Sequence, residues 1–458
     1  MAMSRGRKVE RNGVSFGMPC YPQAMSAATQ TSTAEKQLAR PLSESLTSAA
    51  SVIAAVIGGS NLDRALTNIP TLQRPAVQDL AYGALRRFGR GDALLASLLS
   101  KPLGEITIRS LLLAALYRLE ERPDDPYTTV NQAVTAAAAM ANGRFKSLVN
   151  AVLRNFQRQH ATLLNTALIR EYARWQHPQW WIDKVREDHP QQWQQILDAG
   201  NQRPPMTLRV NRRRIANANT YISRLAAAGI NAHALDDSAI LLAKPMPVAQ
   251  LPGFSAGDVS VQDWGAQHAA HLLDIHPGMR VLDACAAPGG KAAHLLELAD
   301  VELTALDTDA KRLERVSEHL RRLELTAILV TADATDVEHW WNGRAFDRIL
   351  ADVPCSASGV VRRHPDAKWL RRKADVASFA RSQARILDAL WRVLVPGGKM
   401  LYCTCSVYAD ENQRQIESFV SRATDAMRLE TGEAQTELQL LPTNEHDGFY
   451  YALLQKHA

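Results

Sequence analysis

The chain has 458 residues, 46% of them hydrophobic and 22% charged, a composition typical of globular protein and a length that suits two or three domains. No apolar run approaches the roughly 18 to 20 residues of a membrane helix, and five cysteines without framework spacing argue against a disulfide-stapled fold. The formal charge of +6 is uneven: residues 36–175 hold 17 Lys and Arg against 10 Asp and Glu, whereas residues 273–458 hold 23 against 27. A basic module beside an acidic one suits a polyanion held by the first while the second works on it, although a solvated basic face fits the same count.

In chain order, residues 1–35 read as a disordered basic tail. Arg5, Arg7, Lys8 and Arg11 precede no apolar stretch, so the start is not a secretory signal, and Met25 offers an alternative start. A reducing, cytoplasmic setting is expected. From 36 to 175 the apolar residues Leu38, Leu42, Leu46, Val52, Ile53 and Val56 recur at three- and four-residue steps, the mark of one buried helix face. Segments from Val77 to Leu99, Ile106 to Arg118, Thr129 to Met140 and Phe145 to Gln157 continue the pattern without strand signals, which predicts an all-α bundle. Asp63 or Thr71 would cap later helices and Pro75 fits a first turn. Arg86, Arg87, Arg144, Lys146, Arg154 and Arg158 mark helix ends that could meet phosphates.

Residues 176–272 are rich in Pro and Trp and read as a small α+β connector. Met206 to Asn211 and Ala239 to Ala243 are its strands, and Ala218 to Ala228 is its helix. Arg209, Arg212, Arg213 and Arg214 form a basic cluster suited to a nucleic-acid backbone, or to a surface turn. Residues 273–458 alternate strands and helices as in a doubly wound α/β sheet. Strands are expected at Arg280–Ala284, Glu302–Leu306, Ala327–Thr331, Arg348–Ala351 and Lys399–Cys405. Helices are expected at Lys291–Leu298, Ala310–Leu323, Ser378–Leu394 and Asp410 to Ala423. Leu438–Leu441 and Phe449–Leu454 suit a terminal hairpin.

Chemistry-bearing residues fall at the ends of these strands, where open α/β sheets bind ligands. The turn Cys285-Ala286-Ala287-Pro288-Gly289-Gly290-Lys291 would let backbone approach a nucleoside cofactor. Asp307 would accept ribose hydroxyls, and Asp333 would meet an adenine edge. The absence of a pyrophosphate fingerprint disfavours a dinucleotide. Asp352-Val353-Pro354-Cys355 and Cys403-Thr404-Cys405-Ser406 place thiols at the same rim. A zinc site built from Cys285, Cys355, Cys403 and Cys405 is a rival, but C-x-C spacing is poor for zinc and no metal is expected. Stoichiometric zinc in purified protein would overturn that expectation.

Asp283-Ala-Cys-Ala-Ala-Pro-Gly-Gly-Lys291, Asp352-Val-Pro-Cys355 and Thr404-Cys405-Ser406 resemble the motifs of RNA (cytosine-5)-methyltransferases. Cys355 to Trp369 resembles the branch that methylates small-subunit (16S) ribosomal RNA. Gln78-Asp79-Leu80, Gly83, Leu85-Arg86 and Asn150-Ala-Val-Leu-Arg154 resemble that branch's NusB-like helical RNA-binding domain; His177-Pro178, Trp180 and Arg209-Val210-Asn211 match its connector. The resemblance runs from about residue 36 to the end, with small departures at Val353, Trp264-Gly265 and the extra thiol Cys403. It implies a Rossmann-like class I methyltransferase domain, S-adenosylmethionine as cofactor and cytosine 967 of 16S RNA, free or in a partly assembled subunit, as target. It further implies a monomer without membrane contact. By the same resemblance Cys405 is the nucleophile, Cys355 assists breakdown of the covalent adduct and Asp352 meets the base edge. Cys285 and Cys403 have no catalytic part.

The basic run Arg362, Arg363, His364, Lys368, Arg371, Arg372 and Lys373 follows Cys355 and is expected to bind RNA phosphates. Three alternatives stay open: methylation of another RNA such as tRNA, a non-catalytic RNA-binding or assembly factor, and a DNA methyltransferase. A pure binder needs neither Cys405 nor Asp352, and in a DNA enzyme Cys355 would attack.

Overall fold

The computed structural model describes residues 41–432 and 435–457; the expected tail lies outside them. The first domain is a helical bundle, as expected. Its main helices are Leu42–Ile57, Arg74–Arg86, Phe88–Leu98, Ile106–Glu121, Pro126–Ala139 and Lys146–Leu168. Ile106–Glu121 is apolar almost all round, with Leu111 to Tyr117 buried without interruption, so it forms the centre on which the others pack. Gly83 allows one close crossing: a Cβ there would lie 2.0 Å from the Tyr117 ring. The segment Val77 to Leu99 is two helices, broken at Arg87. The short helix Leu62–Leu66 is capped by Asn61 rather than by Asp63.

The connector begins with short helices whose Trp175, Trp181, Ile182 and Val185 pack against Val361, Val376, Val407 and Tyr408. Its sheet comprises β1 (Thr207–Val210), β2 (Ala232–Ala234), β3 (Ala239–Leu242) and β4 (Val259–Val261), all antiparallel in the order β2-β3-β1-β4. The edge strands β2 and β4 are too short and irregular to have shown a period-two pattern.

The last domain carries β5 (Arg280–Ala284), β6 (Glu302–Asp307), β7 (Ile328–Thr331), β8 (Phe346–Asp352), β9 (Leu394–Thr404), β10 (Ala426–Leu429), β11 (Leu438–Leu440) and β12 (Phe449–Lys456). Their order is β10-β12-β9-β8-β5-β6-β7, with β11 on β12. Strands β5 to β9 are parallel, whereas β12 runs antiparallel to β9, β10 and β11. β9 starts earlier than expected, because Pro396-Gly397-Gly398 forms a bulge within the strand: Phe346 faces Leu394, yet Arg348 faces Lys399.

Helices Gly290–Leu298 and Ala310–Leu323 cover one face of the sheet, and Lys373–Arg392 with Gln413–Arg422 the other. The helix Trp264–Leu272, not foreseen, adds to the first face. The chain leaves β5 outward to β6 and β7, then returns to β8 on the opposite side of β5. That reversal opens a crevice beyond the C-terminal ends of β5 and β8. Among the described residues no helix is long and apolar enough to cross a membrane.

Candidate active site

Three strand ends meet at the crevice. β5 ends at Ala284, and Cys285 turns the chain with φ 64°. Gly289 follows with φ 95°, in the left-handed region that suits glycine, and a Cβ there would lie 3.1 Å from Val316. The next helix starts at Gly290. β8 ends at Asp352, beside Cys403 of β9, so the segments bearing Cys355 and Cys405 leave adjacent parallel strands at one rim.

Cys355 Sγ and Cys405 Sγ lie 3.3 Å apart, a hydrogen-bonding distance for two thiols sharing a proton. Cys355 is buried and Cys405 partly open. The bond to Cys405, and then burial, push the Cys355 thiol well up, with Glu411 adding to the shift. Asp352 is held from two sides: Lys291 Nζ donates to Oδ2 at 2.7 Å and Cys403 Sγ donates to Oδ1 at 3.4 Å. Burial opposes the charge on Lys291, yet the Asp352 carboxylate it is bonded to drives its pKa upward, so it stays an ammonium. Burial, then Asp352, keeps Cys403 a neutral thiol that donates.

Carboxylates line the rest of the rim. Asp307 accepts from Ala287 N at 3.2 Å and Asp309 N at 3.1 Å and pairs with Arg312, which also grips the Ala287 carbonyl at 2.8 Å. Asp333 is exposed and accepts from the Thr335 amide and hydroxyl. Beneath them Asp283 is fully buried with both carboxylate oxygens unpartnered, and burial, then Asp352, raises its pKa well above the usual carboxylate range. Cys285 is likewise pushed up by burial and by Asp352, Asp307 and Asp283. Acids dominate this turn, and its lysine is already bound to Asp352. That donor set fits a cationic, hydroxyl-bearing nucleoside and not a polyphosphate.

The basic run after Cys355 requires correction. Arg362 and Lys368 are buried and taken up by protein groups. Arg362 pairs with Asp447 and donates to the Thr443 carbonyl at 2.7 Å. Lys368 donates to the Arg86 carbonyl at 3.1 Å and Asn201 Oδ1 at 2.8 Å, and burial beside Arg86 drives its pKa well down. Arg363 bridges Asp447 and Asp263 and holds the Pro205 carbonyl at 3.0 Å. Trp369 Nε1 donates to the Leu85 carbonyl at 2.8 Å, and Arg86 donates twice to the Arg362 carbonyl. The loop therefore docks bundle and connector onto the catalytic domain. His364, Arg372 and Lys373 are exposed, and Arg371, half-buried, lies over the Phe379 ring.

Among the connector's arginines Arg209 has the same fate, whereas Arg212, Arg213 and Arg214 stay exposed and pair at the surface. Arg209 is fully buried, paired with both oxygens of Glu297, and donates to Gln262 and to the Gly290 carbonyl at the start of the helix that follows the glycine turn. Arg213 pairs with Asp300 and Arg214 with Glu324. None of the partner carboxylates stands near its arginine in sequence, so composition alone could not separate a docking arginine from a phosphate-binding one.

Sequence reasoning also passed over Glu411. It is fully buried behind the two cysteine loops, where it accepts from Ser356 N at 2.8 Å, Ser356 Oγ at 2.5 Å, Ser406 Oγ at 2.6 Å and Gln383 Nε2 at 3.2 Å. The only available signal was the serine after each cysteine.

Comparisons with known proteins agree in each of the three domains. Residues 270–455 match the family model described as 16S rRNA methyltransferase RsmB/F, residues 177–249 its ferredoxin-like domain, and residues 44–158 the NusB family. The chain is 43% identical over 419 residues to ribosomal RNA small subunit methyltransferase B of Vibrio cholerae, covering 89% of this chain and 96% of that protein. It is 41% identical to the protein of the same name from Vibrio vulnificus, covering 90% and 99%. Among solved structures, the crystal structure of PH0851 superposes with a TM-score of 0.74 at 20% identity, covering 90% of this chain and 99% of that one, which shows a shared fold.

Proposed function

The chain belongs to the ribosomal RNA small subunit methyltransferase B family, and from that premise we propose that it methylates C5 of a cytosine in 16S ribosomal RNA through a covalent cysteine adduct. The observation that carries this reading is the pair of sulfurs 3.3 Å apart beside an aspartate held by lysine and thiol.

Cytosine C5 is a poor nucleophile until a thiolate adds to C6 and makes the ring an enamine. Cys405, the more open thiol, is the attacking group; Cys355, buried and held protonated, donates toward its sulfur. The turn 285–291 with Asp307 and Asp333 would hold S-adenosylmethionine, which would supply an electrophilic methyl group for C5. Asp352, fixed by Lys291 and Cys403, faces the N3/N4 edge as electron density flows into the ring. Once Cys405 is bonded to carbon, it can no longer share the proton as a thiolate, so the restraint that kept Cys355 protonated weakens. Cys355 then gives its own proton to solvent and, as a thiolate, takes the C5 proton while the C6–S bond breaks, which restores the ring and expels Cys405 as a thiolate.

His364, Arg371 and Arg372 are proposed to meet RNA phosphates, with the exposed basic face of the bundle; Arg362, Arg363 and Lys368 hold the loop instead. Cytosine 967 is the proposed target, in the cytoplasm. Incubation with 16S RNA and methyl-labelled S-adenosylmethionine, followed by nucleoside analysis and bisulfite sequencing, should give 5-methylcytidine at that position. Label in ribose, in another base or in tRNA alone would reject the reading.

A further inference from the structure

Each thiol is flanked by residues that anchor to one place. Cys355 lies between Pro354, whose carbonyl accepts from Gln383 Nε2 at 3.0 Å, and Ser356, whose amide and hydroxyl both donate to Glu411. Cys405 lies between Thr404, which donates to Asn412 Oδ1 at 2.6 Å, and Ser406, whose hydroxyl donates to Glu411 Oε2 at 2.6 Å. Gln383 also donates to Glu411, and Asn412 follows it in the chain.

The proton count closes on this arrangement. The Ser356 and Ser406 hydroxyls each give their hydrogen to Glu411. Ser358, 3.0 Å from both, can give its hydrogen to Ser406 and accepts the Val407 amide at 2.9 Å. Glu411 thus receives four donors, which favour the carboxylate against the burial that raises its pKa. Its backbone is fixed too, because Tyr402 of β9 donates to the Glu411 carbonyl at 2.6 Å. A buried carboxylate with four donors is a rigid post, since breaking any one bond leaves a desolvated polar group without a partner.

Resting on the two-thiol reading above, we propose that Glu411 is the positioning residue that ties the Cys355 and Cys405 loops together and so sets the distance between their sulfurs. Glu411 touches neither sulfur; it acts through Ser356 and Ser406. Without it the loops would keep their direct bonds, Ser358 to Ser406 and Gly359 N to the Cys405 carbonyl, but lose the buried carboxylate that holds both serines, and thiols that must act in succession on one cytosine ring would drift apart.

The test compares wild type, Glu411→Gln and Glu411→Ala. One readout is disulfide formation between Cys355 and Cys405 by diamide, which takes up the two thiol hydrogens as the S–S bond forms. It is followed by mass spectrometry of the joined peptides without RNA. The other is steady-state methyl transfer. Glu411→Ala should slow cross-linking about tenfold and lower kcat about 100-fold, with KM for RNA within about twofold, because misplacement by about 1 Å costs that much when geometry drives the step. Glu411→Gln, which keeps the shape, should cross-link within about threefold of wild type. Cross-linking of Glu411→Ala at the wild-type rate would overturn the proposal. Slowed cross-linking with unchanged kcat would sustain the tether and count instead against the two-thiol chemistry. If Glu411→Ala does not fold, Ser356→Ala and Ser406→Ala each cut one leash; wild-type cross-linking in both would overturn it equally.

Discussion

Two basic regions that look alike in sequence behave in opposite ways in the fold. Arg209, Arg362 and Lys368 are buried, and Arg363 and the exposed Arg213 and Arg214 pair with acids of other segments, so Glu297, Asp447, Asp263, Asp300, Glu324 and backbone carbonyls take up most of these donors. Arg144, Lys146, Arg154 and Arg158, around the start of the helix Lys146–Leu168, are exposed, and among the described residues none meets a carboxylate. Arg144 lies over Phe145 and Arg154 over the exposed Tyr127 ring. The lesson is physical: a positive field reaches a polyanion only where no acid has been folded against it. The first set joins domains; the second, proposed to meet RNA phosphates, has no acid folded against it among the described residues.

The sharpest way to break this contrast is Arg209→Ala. It would strand Glu297, itself buried, and loss of one partner of a buried pair costs about 3–5 kcal/mol. Thermal or denaturant unfolding should show that loss; a change under about 0.5 kcal/mol, the range of ordinary surface substitutions, would mean that Arg209 is no docking residue.

A smaller effect is expected at Asp263, beside Arg363. Burial, then Asp447, raises its pKa to about 6, against about 3.9 for an unfolded aspartate. Between those values the folded state holds the extra proton, so this residue's contribution to stability falls as pH rises from about 4 to about 6. Asp263→Asn, which still accepts, should remove that part of the slope of Tm against pH; an unchanged slope would contradict the shift.

The smallest effect on stability belongs to the exposed face. Arg154→Ala with Arg158→Ala should change unfolding by less than about 0.5 kcal/mol. The same pair should weaken RNA binding and lower the slope of log affinity against log salt by about one to two. Arg87→Ala, whose side chain already pairs with Glu120 and Glu121, should leave the salt slope unchanged. Equal losses from both would erase the distinction between free and folded-in arginines.

Much of this was legible in advance, for reasons that differ by region. The parallel strands β5, β6 and β8 were readable because strands buried on both faces are continuous apolar runs, such as Arg348–Ala351. The bundle was readable from its three- and four-residue periodicity. β2, β4 and β10 were not: each is an edge strand of three or four residues without the continuous apolar run that Ala239–Leu242 or Ile328–Thr331 shows. At the site, the meeting of Cys355 and Cys405 followed from their places at adjacent strand ends. The inward turn of Arg362 and Lys368 did not, since their partners Asp447, Asn201 and Arg86 lie 85 to 282 residues away. Glu411 was invisible for the same reason: its meaning lies in which serines face it.

The central claim is the division of labour between the two sulfurs, and trapping tests it most directly. RNA containing 5-fluorocytosine carries no removable proton at C5, so a methylated adduct should stall on the enzyme. The account predicts a labelled covalent complex with wild type and with Cys355→Ala, and none with Cys405→Ala. A complex that survives in Cys405→Ala and vanishes in Cys355→Ala would contradict it.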